Sequence, residues 1–277
     1  MIAILKGIKA IISAACRRSP FPASRNLLND FVYEGRRKNL IYEIFGADIT
    51  DFLAWKNSRT GREKGDYSIT SFVAHVFAKT IDDHPDIQAY RGGLWGQEWI
   101  VFDDVDIALI VEKTIEGSAM PWIHTIRACN RQSMASFSRA IQRAKNEQIE
   151  STLRWRIGRA IMHLPTLIRR LAWLLPRHNP FFMKFLVGTV AVTSVGMFSR
   201  GNLALLPATP LTLTLAIGSI ESRAMFQEGE WVQREYITLS LCADHAIVDG
   251  APLARFIETM KARLETLESI TEPGDAQ

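Results

Sequence analysis

The segment Ser240-Leu-Cys-Ala-Asp-His-Ala-Ile-Val-Asp-Gly-Ala-Pro-Leu-Ala-Arg-Phe256 decides the reading of this chain. A run of strand formers, Trp231 to Ala243, leads straight into Asp244-His245, and Asp249-Gly250 follow four and five residues after the histidine. A helix comes next. Pro252 is a favoured first-turn residue, and Leu253, Phe256, Ile257, Met260, Leu264 and Leu267 recur at helical spacing. Strand, loop, helix puts the histidine on a rim that a ligand can reach. Its ordinary pKa of about 6.5 suits proton transfer near neutrality. Asp249 could cap the helix or pair with an arginine, and Gly250 permits a tight or left-handed backbone. Taken alone, His-x-x-x-Asp reads equally as a surface histidine beside a helix cap.

Outward from this segment the chain mixes helices and strands. Ile41 to Ile49 reads as a strand, and Ser68 to Asp83 as a helix whose Ile69, Phe72, Val73, Val76, Phe77 and Ile81 share a face, ended by Pro85. Gly92-Gly93 separates candidate hairpin partners. Trp99 to Phe102 and Asp106 to Val111 read as strands, and a long helical region runs from Gln132 past Glu147. Thr189 to Val195, Leu211 to Ile217 and Trp231 to Ala243 are the strongest strand candidates. The late cluster of strands, without strict β-α-β alternation, predicts an α+β fold.

Length and composition bound the function. The 277 residues suffice for a sizeable core, and 47% apolar with 22% charged residues excludes disorder as the main state. A net charge of +4 favours anionic ligands without arguing for nucleic acid. Cys16, Cys129 and Cys242 are scattered and odd in number, which predicts neither a disulfide framework nor a metal site and points to a reducing, cytoplasmic compartment. The N-terminal MIAILKGIKAIISAACRRSP has its arginines after the apolar run, the reverse of a signal peptide. It reads as an amphipathic segment, residues 1–24, packing on its own domain, with attachment to a membrane surface as the alternative. Residues 269–277 read as a polar tail.

From Ser151 to Ile220 there is no acidic residue, while Arg154, Arg156, Arg159, Arg169, Arg170, Arg177, Lys184 and Arg200 fall in the same span. Its first half, up to about residue 186, reads as basic amphipathic helices broken at Pro165. The plain expectation is a solvated basic face packed by its apolar side. The functional alternative is a docking surface at residues 154–184 for coenzyme A phosphates, an acidic carrier protein or a membrane surface.

The opening segment resembles the histidine motif of the acyltransferase component of 2-oxoacid dehydrogenase complexes, Asp-His-Arg-x-x-Asp-Gly-Ala followed by a helix with Arg-Phe. Chloramphenicol acetyltransferase and condensation domains share its His-x-x-x-Asp-Gly core. Other stretches are similar in the family's order. They are Asp48-Ile49-Thr50, the helix SITSFVAHVFAKTIDDHP before a hairpin, GSAMPWI at 117–123, and GTVAVTSVG at 188–196. The likeness spans residues 25–268.

This resemblance implies a chloramphenicol acetyltransferase-like mixed-sheet sandwich with helices on the sheet face. It also implies a homotrimer with active sites between subunits. His245 would act as general base on an acceptor thiol or hydroxyl, with a coenzyme A or carrier-protein thioester as co-substrate and no metal. Thr193 falls where the family has its oxyanion-stabilising serine, with Ser194 beside it as the other candidate. Asp249 would hold the histidine loop through an arginine, Arg25 by spacing, with Arg36 and Arg37 as rivals. Three departures stand out. Ala246 replaces an arginine, the connection before Gly188 is long, and there is no room for lipoyl and subunit-binding domains. They favour a stand-alone acyltransferase and leave a non-catalytic scaffold of the same fold as the alternative.

Overall fold

Alternation along the two longest strands organises the sheet. The computed structural model describes residues 21–59, 67–93, 96–115, 118–149, 152–196 and 203–267. The expected N-terminal segment, Cys16 and the polar tail therefore lie largely or wholly outside the described residues. In chain order the elements are helix α1 (Arg25–Gly35), strand β1 (Leu40–Asp48), α2 (Thr50–Ser58), α3 (Ile69–Asp83), β2 (Tyr90–Gly92), β3 (Glu98–Ile100), β4 (Ile107–Ile115), β5 (Ser118–Ile126) and α4 (Met134–Asn146). A helical layer follows, α5 (Leu153–Met162), α6 (Thr166–Ala172), α7 (Leu174–His178) and α8 (Pro180–Leu186). The chain closes with β6 (Val190–Ser194), β7 (Leu213–Gln227), β8 (Glu230–Asp244) and α9 (Gly250–Thr266).

Six strands form one mixed sheet in the order β1-β8-β7-β6-β4-β5, and β2 and β3 form a separate hairpin. β6 runs parallel to β4 and β7, and the other neighbours are antiparallel. This is the expected α+β arrangement of a mixed sheet with helices packed on its face. Ile237, Leu239, Leu241 and Ala243 of β8 point to one face with Leu213, Leu215 and Ile217 of β7 and Val190 and Val192 of β6. Against them pack Phe72, Val73, Val76 and Phe77 of α3 and Leu253, Phe256, Ile257, Met260 and Leu264 of α9. Fully burying one such side chain is worth about 1.5–3 kcal/mol, so this face dominates the stability.

Local chemistry explains the boundaries. Ser68 and Ser71 form a reciprocal capping box that opens α3. Glu228 and Gly229 both have positive φ (51° and 91°), a mirror-type two-residue turn that lets β7 and β8 run as a 15-residue hairpin. That turn was not anticipated, so β7 extends well past the expected Ile217. Residues 118–123 of the motif lie in β5, where Pro121 is tolerated because β5 is an edge strand, and Gly117 lies outside the described residues. Gly188 has φ +136°, and a Cβ there would sit 2.6 Å from the Asp106 carbonyl oxygen. Glycine is therefore required where β6 begins its parallel pairing beside β4.

The basic segment departs from its expected packing. At α6 and α7 two arginines, Arg169 and Arg177, face inward while the leucines stay exposed. Arg169 is 5% exposed, with Nε 2.6 Å from Asp30 Oδ2 and Nη1 2.5 Å from the Leu164 carbonyl. Arg177 makes a two-pronged pair with Glu34 at 2.6 and 2.9 Å. Both carboxylates lie on α1, so ion pairs rather than aliphatic contacts set the register of α6 and α7 on it. Trp173 meets Phe31 edge-on at 6.2 Å and closes the seam.

Candidate active site

β8 ends at Asp244, and its backbone hands the chain to a tight loop. Asp244 N donates to the Thr212 carbonyl at 2.9 Å, and His245 N donates to the Asn39 carbonyl at 2.7 Å. Ile247 and Val248 N both donate back to the Asp244 carbonyl, at 2.8 and 3.0 Å. The buried Asp244 carboxylate fixes the loop from inside, accepting from Ala246 N at 3.2 Å and pairing with Lys38 Nζ at 2.8 Å. Each strand-end group thus has a partner, and the histidine is held by backbone on both sides.

The imidazole is half exposed at 49%. Its Nδ1 lies 3.2 Å from the Val248 carbonyl oxygen and 3.4 Å from Asp249 Oδ1. A carbonyl oxygen only accepts, so Nδ1 carries the proton in this contact and Nε2 keeps its lone pair. Nε2 makes no hydrogen bond to any described residue, which leaves a base open to solvent at the strand end.

Asp249 does neither of the things expected of it. It stands at the N-cap position of α9 without a side-chain capping bond, and it makes no ion pair with Arg25. Arg25 instead opens α1 and is exposed. The Asp249 carboxylate, 82% exposed, turns back over one helical turn toward His245 Nδ1, where it reinforces the same tautomer. Arg36 is exposed and Arg37 approaches Glu34 at 4.0 Å, so neither rival takes the expected place on Asp249. Gly250 needs no left-handed backbone. It is the first residue of α9, and a Cβ built on it would meet nothing within 4 Å. What glycine supplies there is open space beside the histidine loop.

Thr193 and Ser194 face opposite ways on β6. Ser194 turns to the helix layer, its Oγ 3.4 Å from Thr70 Oγ1 on α3. Thr193 lies on the other face with Ala191 and is 8% exposed, and its hydroxyl makes no hydrogen bond to a described residue. Thr193 and His245 are not brought together within one chain. Thr193 is aligned with Ala216 of β7, and Ala216 with Ser240 of β8. Two strand spacings sideways and five residues along β8 separate the two groups by about 19 Å.

The two described thiols, Cys129 and Cys242, are buried. Burial pushes Cys242 up to about 11 and Cys129 up to about 12, so both stay protonated at neutral pH. Among the described residues no cluster of three or more histidine, cysteine or acidic side chains could hold a metal. A cavity of about 280 Å³ lies behind the loop, lined by Lys38, Tyr90, Trp173, Arg177, Asp244 and Ile247 among others. Lys38 was not singled out from sequence. Nothing in the Arg36-Arg37-Lys38 run distinguishes the residue that reaches Asp244.

Residues 183–272 match the family model for the 2-oxoacid dehydrogenases acyltransferase catalytic domain. The match contains β6, β8, the histidine loop and α9. The expected likeness to that family is borne out over this stretch, about a third of the chain. The chain is 35% identical over 77 residues to the dihydrolipoyllysine-residue acetyltransferase component of the acetoin cleaving system of Bacillus subtilis, 28% of this chain and 19% of that protein. It is 21% identical over 203 residues to the corresponding pyruvate dehydrogenase component of Rickettsia prowazekii, 72% of this chain and 40% of that protein. It therefore spans less than half the length of these curated relatives.

Two solved structures share the fold. One is the Azotobacter vinelandii dihydrolipoamide acetyltransferase, studied for the role of a serine, a histidine and an asparagine in its catalytic mechanism. It has a TM-score of 0.69 at 16% identity and covers 93% of this chain and 95% of its own. The other is the cubic core of the pyruvate dehydrogenase multienzyme complex, at 0.67 and 14% identity, with 93% and 95% covered.

Proposed function

We propose that this chain is an acyltransferase that moves an acyl group from a thioester, of coenzyme A or a carrier protein, to a thiol, amine or hydroxyl acceptor. The observation that carries the proposal is the His245 ring. Its Nδ1 faces the Val248 carbonyl and the Asp249 carboxylate, while Nε2, on a half-exposed ring, has no partner among the described residues. Support comes from spacing in the Azotobacter enzyme. The serine and histidine studied there stand as far apart in sequence as Thr193 and His245. Its asparagine follows the histidine by four residues, as Asp249 does here.

The steps balance without a covalent enzyme intermediate. Nε2 takes the proton of the acceptor thiol, whose ordinary pKa of about 8.5 leaves it mostly protonated at neutrality. The sulfur attacks the acyl carbonyl and its oxygen becomes an oxyanion. A Thr193 hydroxyl donates to that oxygen. The intermediate collapses, the donor thiolate leaves, and it recovers the proton from Nε2.

Because about 19 Å separates Thr193 from His245 within one chain, the hydroxyl must come from a neighbouring copy. The sheet face opposite the helices has room for one at its β1 edge, where Ile44 and Tyr42 are exposed. The proposed assembly is a homotrimer with an active site at each contact.

The test is release of free thiol from a panel of acyl-coenzyme A donors offered to dihydrolipoamide and to amine and alcohol acceptors, with products identified by mass spectrometry. Wild type is expected to transfer at least one acyl group. Turnover no higher than that of His245→Ala with every donor and acceptor overturns the proposal.

A further inference from the structure

The α6–α7 layer carries its chemistry inside out for a surface that meets only water. Arg169 is buried, while Leu164, Leu167, Ile168, Leu171, Leu174 and Leu175 are all exposed, Leu167 to 72% and Leu171 to 56%. Only Trp173 separates α6 from α7, and these six positions recur at helical intervals of three and four. They make one continuous aliphatic stripe. An uncovered stripe of this kind marks an interaction surface.

Charge identifies what it fits. No acid occurs from Ser151 to Ile220, and none occurs before Asp30. Asp30 and Glu34, the two acids of α1 that touch this layer, are buried and taken by Arg169 and Arg177. What remains outside is cationic. Arg156 and Arg36 are exposed, and Arg170 lies over the Tyr33 ring at 4.0 Å. A second copy of this face would set cation against cation. An acidic globular partner would answer the charge but not an aliphatic stripe. An anionic bilayer answers both, because its headgroup phosphates pair with arginine and its acyl boundary accepts leucine.

We propose that this face docks on a membrane surface rich in anionic phospholipid, laying the stripe at the acyl boundary with its arginines among the headgroups. α1 packs against α5 and α6, so the chain enters α1 beside the docking face. The proposal is independent of acyl transfer and stands or falls separately.

The test is flotation of the full chain with vesicles of phosphatidylcholine alone and of phosphatidylcholine with phosphatidylglycerol, across a sodium chloride series. Binding to the anionic vesicles that weakens with salt is expected. The variant L167E/L171E, altered only at exposed positions, is expected to partition at least tenfold less strongly with an unchanged Tm. Failure of wild type to float, or equal binding to neutral vesicles, overturns the proposal. So does unchanged binding of L167E/L171E, including the case in which I8E/I12E alone abolishes it. A fourth overturning result is a smaller oligomer in L167E/L171E by sedimentation, which would assign the stripe to contacts between copies.

Discussion

His245 gains its chemistry from atoms that are mostly backbone, so few substitutions can imitate its loss. Replacing it with alanine removes the proposed base and its Nδ1 contacts with the Val248 carbonyl and Asp249, but keeps the main-chain bonds of the loop, which run through Asp244, Val248 and Asn39. His245→Ala is expected to lower kcat by about 10²–10⁴-fold, the range of general-base catalysis, with an unchanged melting curve. Thr193 admits a finer contrast. Thr193→Ser keeps a hydroxyl and is expected to stay within a few-fold of wild type, whereas the near-isosteric Thr193→Val is expected to lose about 10²–10³ in kcat with little change in KM. Equal activity of the valine and serine forms would remove Thr193 from the mechanism. Cys129 gives a pH prediction. Burial holds its folded pKa near 12, above its ordinary value of 9.0, so folding favours the protonated thiol. That contribution is complete below pH 9 and is lost as pH rises toward 12, at up to about 1.4 kcal/mol per pH unit. Cys129→Ala is expected to flatten the alkaline fall of Tm above pH 9, and an unchanged slope would contradict the assignment.

At the scale of elements, the strands and helices of the main sheet were legible because each obeys one period. β8 and β7 alternate, α3 and α9 keep helical spacing, and both patterns end at residues with a stopping mechanism such as Pro85. The histidine motif was legible for the same local reason: it is contiguous. Two kinds of feature were not. The Lys38–Asp244 pair joins opposite ends of the chain, and no local rule selects Lys38 from its basic neighbours. The α6–α7 layer violates the rule that predicted it, with Arg169 inward and leucines outward, because Asp30 and Glu34 on α1 supply partners that the segment's own sequence does not reveal. This inversion predicts an asymmetric mutational response. Asp30→Ala leaves a buried guanidinium without its carboxylate and is expected to cost about 3–5 kcal/mol in urea unfolding. Replacing both partners, as in Asp30→Leu with Arg169→Leu, is expected to cost clearly less. Equal losses would show that the pair stabilises through more than mutual neutralisation.

The whole molecule is where the sheet makes a demand that one chain cannot meet. Parallel pairing fixes Thr193 against Ala216, and antiparallel pairing fixes Ala216 against Ser240, so no loop movement brings the Thr193 hydroxyl to His245. If the two groups act on one substrate, they belong to different copies, and activity becomes a property of the contact rather than of the chain. Mixing tests this directly. His245→Ala supplies a sound threonine, and Thr193→Val supplies a sound histidine. When the two inactive proteins are unfolded together in equal amounts and refolded, roughly a quarter of the contacts in closed rings should pair one intact histidine with one intact threonine. Activity is expected to rise toward that fraction of wild type, and the active species should sediment as an oligomer. Mixing without subunit exchange should restore nothing. If the co-refolded mixture stays as inactive as its parents while wild type handled the same way recovers, the shared site between copies is excluded. Both groups would then have to serve separate substrates, or Thr193 would have no catalytic part.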